Sequence, residues 1–299
     1  MTPQLCLGTA QFGLPYGITN TVGQVSELEV RELLAEASAA GLSWLDTAQA
    51  YGDAEAVLGR TLPNGHRFQL ISKLPAQSQA SFTCEDHLAW HQAFECSLLR
   101  LGEPRLDALL LHSAADLRKP GGEHLHQWLL SLRERGLVRR LGVSIYRPAD
   151  LDGVEPDLLD LVQLPLSLYD QRLLADGTIA RLRSQGCAVH ARSLYLQGLL
   201  VSRADSWPAW VNHAASEHHS KLERLAADRG CTLLECALGF ARAQADLEAV
   251  VIGLCSRLEL EQLLKAWDTA SPWDGSEWSK WSLGNSEILD PRRWPPSKT

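Results

Sequence analysis

The chain has 299 residues, enough for one large domain or two small ones, and its 28 Lys and Arg against 36 Asp and Glu give a net charge of -8. That balance argues against a general nucleic-acid surface while leaving room for a local basic pocket. No apolar run approaches the roughly 18 residues of a membrane span, and the N-terminus MTPQLCLGTAQFG lacks a basic stretch followed by a long apolar one, so a cytoplasmic protein without a membrane partner is expected. The cysteines at 6, 84, 96, 187, 231, 236 and 255 are odd in number and form no CxxC pair, which points to reduced thiols in core or helix positions rather than a disulfide framework.

From the N-terminus, short apolar runs alternate with amphipathic stretches. Leu5 to Leu7 reads as a strand ending at Gly8, and TAQFGLPYG follows as a glycine-rich, aromatic loop suited to lying over a ligand. Ser26 and Glu29 form a capping signature, and Leu33, Leu34 and Ala37 give the apolar face of a helix over 27–40. Strands are predicted at Leu42 to Leu45 and Phe68 to Ser72, with helices over 53–62 and 85–101. The strand Leu106 to Leu111 has a wholly apolar core that suits a parallel strand covered on both faces. Leu125, Trp128, Leu129 and Leu132 keep helical spacing, and the strand Val138 to Val143 follows. A weak helix over 148–154, a strand Leu158 to Leu164, the helix in TIARLRSQG and a strand Cys187 to Ala191 come next. Two helices near 210–229 and 232–244 precede the last strand, Ala249 to Ile252, and Ser256 with Glu259 signals the final helix. Eight strands alternating with helices predict a closed (β/α)8 TIM barrel, one catalytic domain over residues 1–270. A doubly wound sheet is the alternative, but it would not gather the ends of all these strands around one pocket. The segment 271–299, with Trp273, Trp278, Trp281, Trp294 and four prolines, is expected to pack on the helices or the bottom of the barrel as a tail, the alternative being that one of its tryptophans borders the substrate mouth.

A parallel barrel brings the C-terminal ends of its strands to one rim, and polar side chains that follow the apolar runs are the candidates for chemistry there. These are Asp46 and Tyr51 in LSWLDTAQAYG, Lys73 in FQLISKL and His112 in LDALLLHS. Singly, each has a structural reading: Asp46 as a turn cap, Lys73 as a snorkelling strand end, His112 as a satisfied core histidine, Tyr51 as packing. Together they suit a carbonyl group. An ammonium beside Tyr51 would stabilise its phenolate and ease proton donation, Asp46 would orient that ammonium, and His112 would supply a second donor to the carbonyl oxygen. Neither His87 with His91 nor His213, His218 and His219 has carboxylate or cysteine company at ligand spacing, so no metal is expected.

With LCLGTAQFG, LDTAQAYG, ISK, LLLHS, RRLGVS, DLVQLPLS and VVIGLCS, the chain resembles the aldo-keto reductase family over nearly its whole length. The resemblance implies NADP- or NAD-dependent reduction of an aldehyde or ketone, sugar-like compounds included, with Tyr51 as proton donor and no metal, in a protein expected to be a monomer rather than a homo-oligomer. It further implies that Ser144 and Gln163 hold the nicotinamide carboxamide and that Arg192 stands where many relatives stack an aromatic ring on nicotinamide. Leu196, Gln197 and Gly198 would fold over the pyrophosphate, Gly253 would open the loop after the last strand, and Ser256 and Arg257 would meet the adenosine phosphate. Departures are visible. The common GVSNF reads GVSIY here, placing Ile145 where an asparagine is usual, and the Lys-Ser pair and later arginine that clamp a 2'-phosphate are missing from VIGLCSRLELEQL. The resemblance still favours NADP over NAD, although Arg257 also reads as an ordinary surface residue. These departures leave open a second reading, a nucleotide-binding regulatory or interaction protein with a slow reductase-like site.

Overall fold

The computed structural model describes residues 2–284 and 286–295. Its strands are β1 (Gln4–Gly8), β2 (Trp44–Asp46), β3 (Gln69–Leu74), β4 (Leu106–Leu111), β5 (Val138–Ser144), β6 (Leu161–Pro165), β7 (Ala188–Arg192) and β8 (Ala249–Gly253). Each pairs in parallel with the next, and β1 pairs with β8, so the sheet closes into a barrel in sequence order. All eight predicted strands are present. The sixth starts three residues later than expected because Pro156–Leu158 forms a 3-10 turn instead.

Two hydrophobic layers follow from the closure. Cys6, Trp44, Ile71, Ala108, Leu110, Leu161, Ala188 and Ala249 fill the barrel interior, while a larger cluster lies between sheet and helices. The helices start where the sequence supplies caps. Ser26 Oγ accepts from the Glu29 amide at 3.3 Å, Thr232 and Glu235 close a reciprocal box, and Ser256 Oγ accepts from the Glu259 amide at 3.2 Å. One connection departs from the strand-helix alternation. Between β5 and β6 there are only the 3-10 turns Pro148–Leu151 and Pro156–Leu158, since a proline opens each and Gly153 between them sits at φ +74°.

Described residues beyond 271 pack against the barrel. Trp273 and Trp281 are buried, Trp278 meets Phe240 edge-on, and the Leu283 amide donates to the Tyr169 carbonyl at 2.9 Å. The segment also reaches the rim, which the expectation of packing on the helices or bottom missed: Arg292 lies 3.5 Å from the ring centroid of Tyr146, in the loop after β5. Residues 296–299 lie outside the described residues.

The turn that carries Tyr51 is set by backbone contact. A Cβ on Gly13 would overlap the Tyr51 carbonyl oxygen, and Gly52, at φ +56°, leaves no room for one against the Gly13 carbonyl. Gly13→Ala should therefore lower stability by about 2–3 kcal/mol, the cost of forcing atoms into a packed contact. Urea denaturation reads this directly, and a midpoint matching the parent would mean that the two turns are free to separate.

Candidate active site

The barrel places Asp46 at the end of β2, Lys73 one residue from the end of β3, and His112 immediately after β4. Tyr51 stands on the turn after β2, with its amide bonded to the Ala48 carbonyl and its own carbonyl to the Ala54 amide, each at 3.0 Å. Lys73 Nζ donates to both Asp46 oxygens at 2.7 Å and to the Thr47 carbonyl at 2.9 Å, so all three of its N–H groups are matched. The pair is buried, with side chains 1% and 3% exposed. The Lys73 ammonium lies 5.1 Å from the Tyr51 ring centroid, and the rings of Tyr51 and His112 meet edge-on at 5.9 Å. The four residues expected to act together are brought together.

Burial and charge oppose each other at Tyr51. Burial raises its phenol, Lys73 pulls it back, Asp46 adds to the rise, and the net shift is upward from the ordinary 10.0. Lys73 thus acts on Tyr51 in the expected, lowering direction, but desolvation is the larger effect and the phenol stays above its ordinary value. For Lys73 burial works against the charge, but Asp46 and Tyr51 outweigh it and the ammonium is stabilised. His112 goes the other way. Burial, helped by the Lys73 and Arg192 cations, pushes it down to about 4, so it is a neutral imidazole at physiological pH.

A cavity of about 580 Å³ opens over this group and runs to the helix Arg257–Thr269 beyond β8. Asp46, Tyr51, His112, Gln163, Arg192, Gln197, Gly198 and Gly253 line it. The loops after β1 and β7 meet where Thr19 Oγ1 donates to the Gln197 carbonyl at 3.2 Å. Among the described residues, the non-glycine positions at positive φ are Ser193, Leu196 and Gln197, at 63°, 47° and 55°, all in the loop after β7. Such conformations persist only where the surroundings impose them, and they gather at ligand sites.

The remaining expected residues stand elsewhere. Lys73 lies behind Asp46. Ser144 is buried and pairs in register with Gln163, and Leu196 is buried within its loop; neither lines the cavity. Ser256 spends its hydroxyl capping the last long helix. Arg257 does not line the cavity either: its guanidinium lies 3.5 Å from Glu36, 3.9 Å from Glu261 and 4.0 Å from Glu32, and is half exposed. In this arrangement Arg257 has the surroundings of a surface residue.

Three features were not legible in the sequence. Gln163 Nε2 donates to Asp46 Oδ1 at 2.7 Å, tying β6 to the ion pair. Gln11 lines the cavity, and a Cβ on Gly253 would press on its amide. Glu259 also lines the cavity, and its carboxylate accepts the Cys255 amide at 2.6 Å. The buried oxygens Gln11 Oε1 and Gln163 Oε1 have no hydrogen-bond partner. Orphaned acceptors in a cavity wall fit the N–H donors of a carboxamide, so the residues present suit a nicotinamide group. Gln163, Gln11, Gln197 and Gly198 are the residues that would hold such a dinucleotide.

The chain is thus a closed, parallel eight-stranded barrel that carries a tyrosine over a buried lysine–carboxylate pair at its C-terminal rim. The Aldo/keto reductase family profile matches residues 4–282, and the chain belongs to that family. It is 33% identical over 140 residues to an aldo-keto reductase of Mycolicibacterium vanbaalenii, a stretch that covers 44% of this chain and 46% of that protein. A second relative, from Mycobacterium sp. strain JLS, is 30% identical over 186 residues, 60% of this chain and 64% of that one. The match thus spans about half the length of the first relative. An aldo-keto reductase from Bacillus halodurans in its holo form has the same fold, with a TM-score of 0.72 at 20% identity over 98% of this chain and 96% of that one.

The buried pair makes a direct prediction. Lys73→Met leaves the Asp46 carboxylate buried without its cation, which should cost about 3–5 kcal/mol, whereas Asp46→Asn together with Lys73→Met should recover most of that loss. Denaturant titration of both variants checks it, and a double variant no more stable than Lys73→Met alone would show that the pair's charges are not the source of the loss.

Proposed function

We propose that this chain reduces an aldehyde or ketone to an alcohol with NAD(P)H, Tyr51 giving the proton. The observation that carries the reading is Tyr51 held over the buried Lys73–Asp46 pair, with the His112 ring at its edge. The dinucleotide, when bound, supplies the hydride that the carbonyl carbon accepts. Tyr51 Oη delivers a proton to the carbonyl oxygen, so that the two additions together give the alcohol. As the proton leaves, the Lys73 charge stabilises the growing phenolate, and this is where the ammonium acts, since in the resting site burial prevails. His112, neutral, offers a ring N–H to the same oxygen and fixes its position. Lys73 is a positioning and electrostatic residue, and Asp46 holds it.

The preference for NADP rests on the family resemblance; Arg257, the residue expected at the adenosine phosphate, lies beside Glu36, Glu32 and Glu261. Arg257→Ala should accordingly leave the ratio of NADPH to NADH affinity unchanged within about twofold, since no charge-assisted contact is removed. Fluorescence titration with both dinucleotides at matched ionic strength measures it; a drop in the ratio of about tenfold would return Arg257 to the site.

The central test is Tyr51→Phe. Single-turnover hydride transfer to an aldehyde should fall by about 100-fold or more while dinucleotide binding is kept. The pH profile carries a sign. Tyr51 must be protonated for reduction and its pKa is raised, so reduction is lost only as pH rises past 10.0, and His112, at about 4, titrates below the working range. The rate constant for reduction should therefore be flat from about pH 6 to 9. Parent-rate transfer by Tyr51→Phe would assign the proton to another group, with His112 first. Tight dinucleotide binding with no aldehyde-dependent oxidation across a broad panel would favour the regulatory reading.

A further inference from the structure

Arg192 is the one lysine or arginine side chain lining the cavity, and among the described residues no carboxylate pairs with it. Its contacts are neutral. Nη2 donates to the Ile145 carbonyl at 3.0 Å, Nη1 to Ser193 Oγ at 3.3 Å, and the guanidinium carbon lies 4.0 Å from the Tyr146 ring centroid. Arg292, from the C-terminal segment, lies 3.5 Å from the same centroid, and two guanidinium groups this close must use the two faces of the ring. Their circumstances differ. Arg292 is neutralised by Asp290 at 2.8 and 2.6 Å and does not line the cavity, whereas Arg192 is uncompensated and does. The three hydrogen-bonding and stacking partners fix the Arg192 side chain but use only part of its five-donor fork.

Position narrows what this charge can be for. Arg192 acts electrostatically on Tyr51, Tyr16 and His112, which places it at the catalytic part of the cavity. The other charges in the wall are Asp46, matched by Lys73, and Glu259, at the helix beyond β8. A partly buried cation without a counter-ion beside a carbonyl-reducing group is an anion site waiting for its ligand.

Resting on the function proposed above, we infer that the substrate is a carbonyl compound bearing an anionic group, a carboxylate or a phosphate, and that Arg192, held by Tyr146, binds that group. Tyr146 is then a positioning residue, and Arg292 from the C-terminal segment braces it from the other side.

The test compares matched pairs: succinic semialdehyde against butanal for a carboxylate, and glyceraldehyde 3-phosphate against glyceraldehyde for a phosphate. The anionic member of at least one pair should have a kcat/KM higher by about 10-fold or more, as one charge-assisted contact provides, and the pair that discriminates identifies the anion. Arg192→Gln should bring that ratio close to one, and Arg192→Lys should restore part of it. Calorimetric titration of the same compounds into the protein, with and without dinucleotide, gives a readout independent of turnover. If no compound is reduced yet the anionic members bind more tightly in an Arg192-dependent way, the reductase reading fails and the anion site stands. Equal kcat/KM and equal binding within both pairs would overturn the anion site. So would a loss in Arg192→Gln that falls equally on charged and neutral aldehydes together with weaker dinucleotide binding, because Arg192 would then serve the cofactor.

Discussion

The interaction on which the rest of this molecule depends is the buried ion pair between Lys73 and Asp46. Removing two charges from water is costly, and in a packed interior it is tolerated only where attraction and hydrogen bonds are both well matched. Here the ammonium is fully used, by two carboxylate oxygens and the Thr47 carbonyl, and the carboxylate gains a further donor from Gln163. Three strands, β2, β3 and β6, are thereby fixed to one another at the rim. Lys73 also acts on Tyr51, whose ring centroid lies 5.1 Å from the ammonium. A charge acts most strongly on what is itself becoming charged. In the resting site desolvation is the largest effect on the Tyr51 phenol; if Tyr51 gives up its proton as proposed, the ammonium's contribution grows as the phenolate forms.

The same reasoning explains why His112 suits its place. Two cations, Lys73 and Arg192, stand near it, and a third positive charge would be repelled and poorly solvated, so the imidazole stays neutral. In the proposed reduction a neutral imidazole would donate to the carbonyl oxygen instead of competing as an acid. Among the described residues, the charges in the cavity wall are Arg192, Asp46, which Lys73 matches, and Glu259. Only part of this comes from the barrel itself. Tyr146, which shapes the Arg192 side, is gripped by Arg292 from a segment that sequence alone suggested would lie on the helices or the bottom.

Sequence reading succeeded where one periodicity governs. Wholly apolar runs such as Leu106–Leu111 announce buried parallel strands, and in a closed barrel the end of each strand must face the same rim, so Asp46, Lys73 and His112 could be grouped before any contact was known. It failed where a residue's position depends on what surrounds it. Arg257 begins a helix near the cavity, as expected, yet a helix start does not say which way a long side chain turns, and here it lies beside Glu32 and Glu36 of the first long helix and Glu261 of its own. Glu259 shows the converse. As the third residue of a capping sequence it looked purely structural, and its amide does serve the cap, but its carboxylate lines the cavity. The net direction of the Tyr51 shift was likewise beyond reach, because it is a balance of burial against the charges of Lys73, Asp46 and Arg192, and burial is a property of the folded chain.

Gln163 joins recognition to chemistry. One end of its amide donates to Asp46 at 2.7 Å, while the oxygen at the other end is buried in the cavity wall without a partner. An amide is rigid, so a ligand that satisfies the oxygen also holds the nitrogen, and with it the carboxylate that orients Lys73. Occupancy of the carboxamide position and the geometry of the ion pair are therefore coupled through one side chain. A glutamate in its place would set a second carboxylate against Asp46, and a leucine would remove a donor from a buried acceptor, so neither charge nor volume alone can substitute for the amide. The requirement is for a group that donates inward and accepts outward, which glutamine meets with its two ends, and the closed barrel supplies it by setting β6 across from β2 and β3.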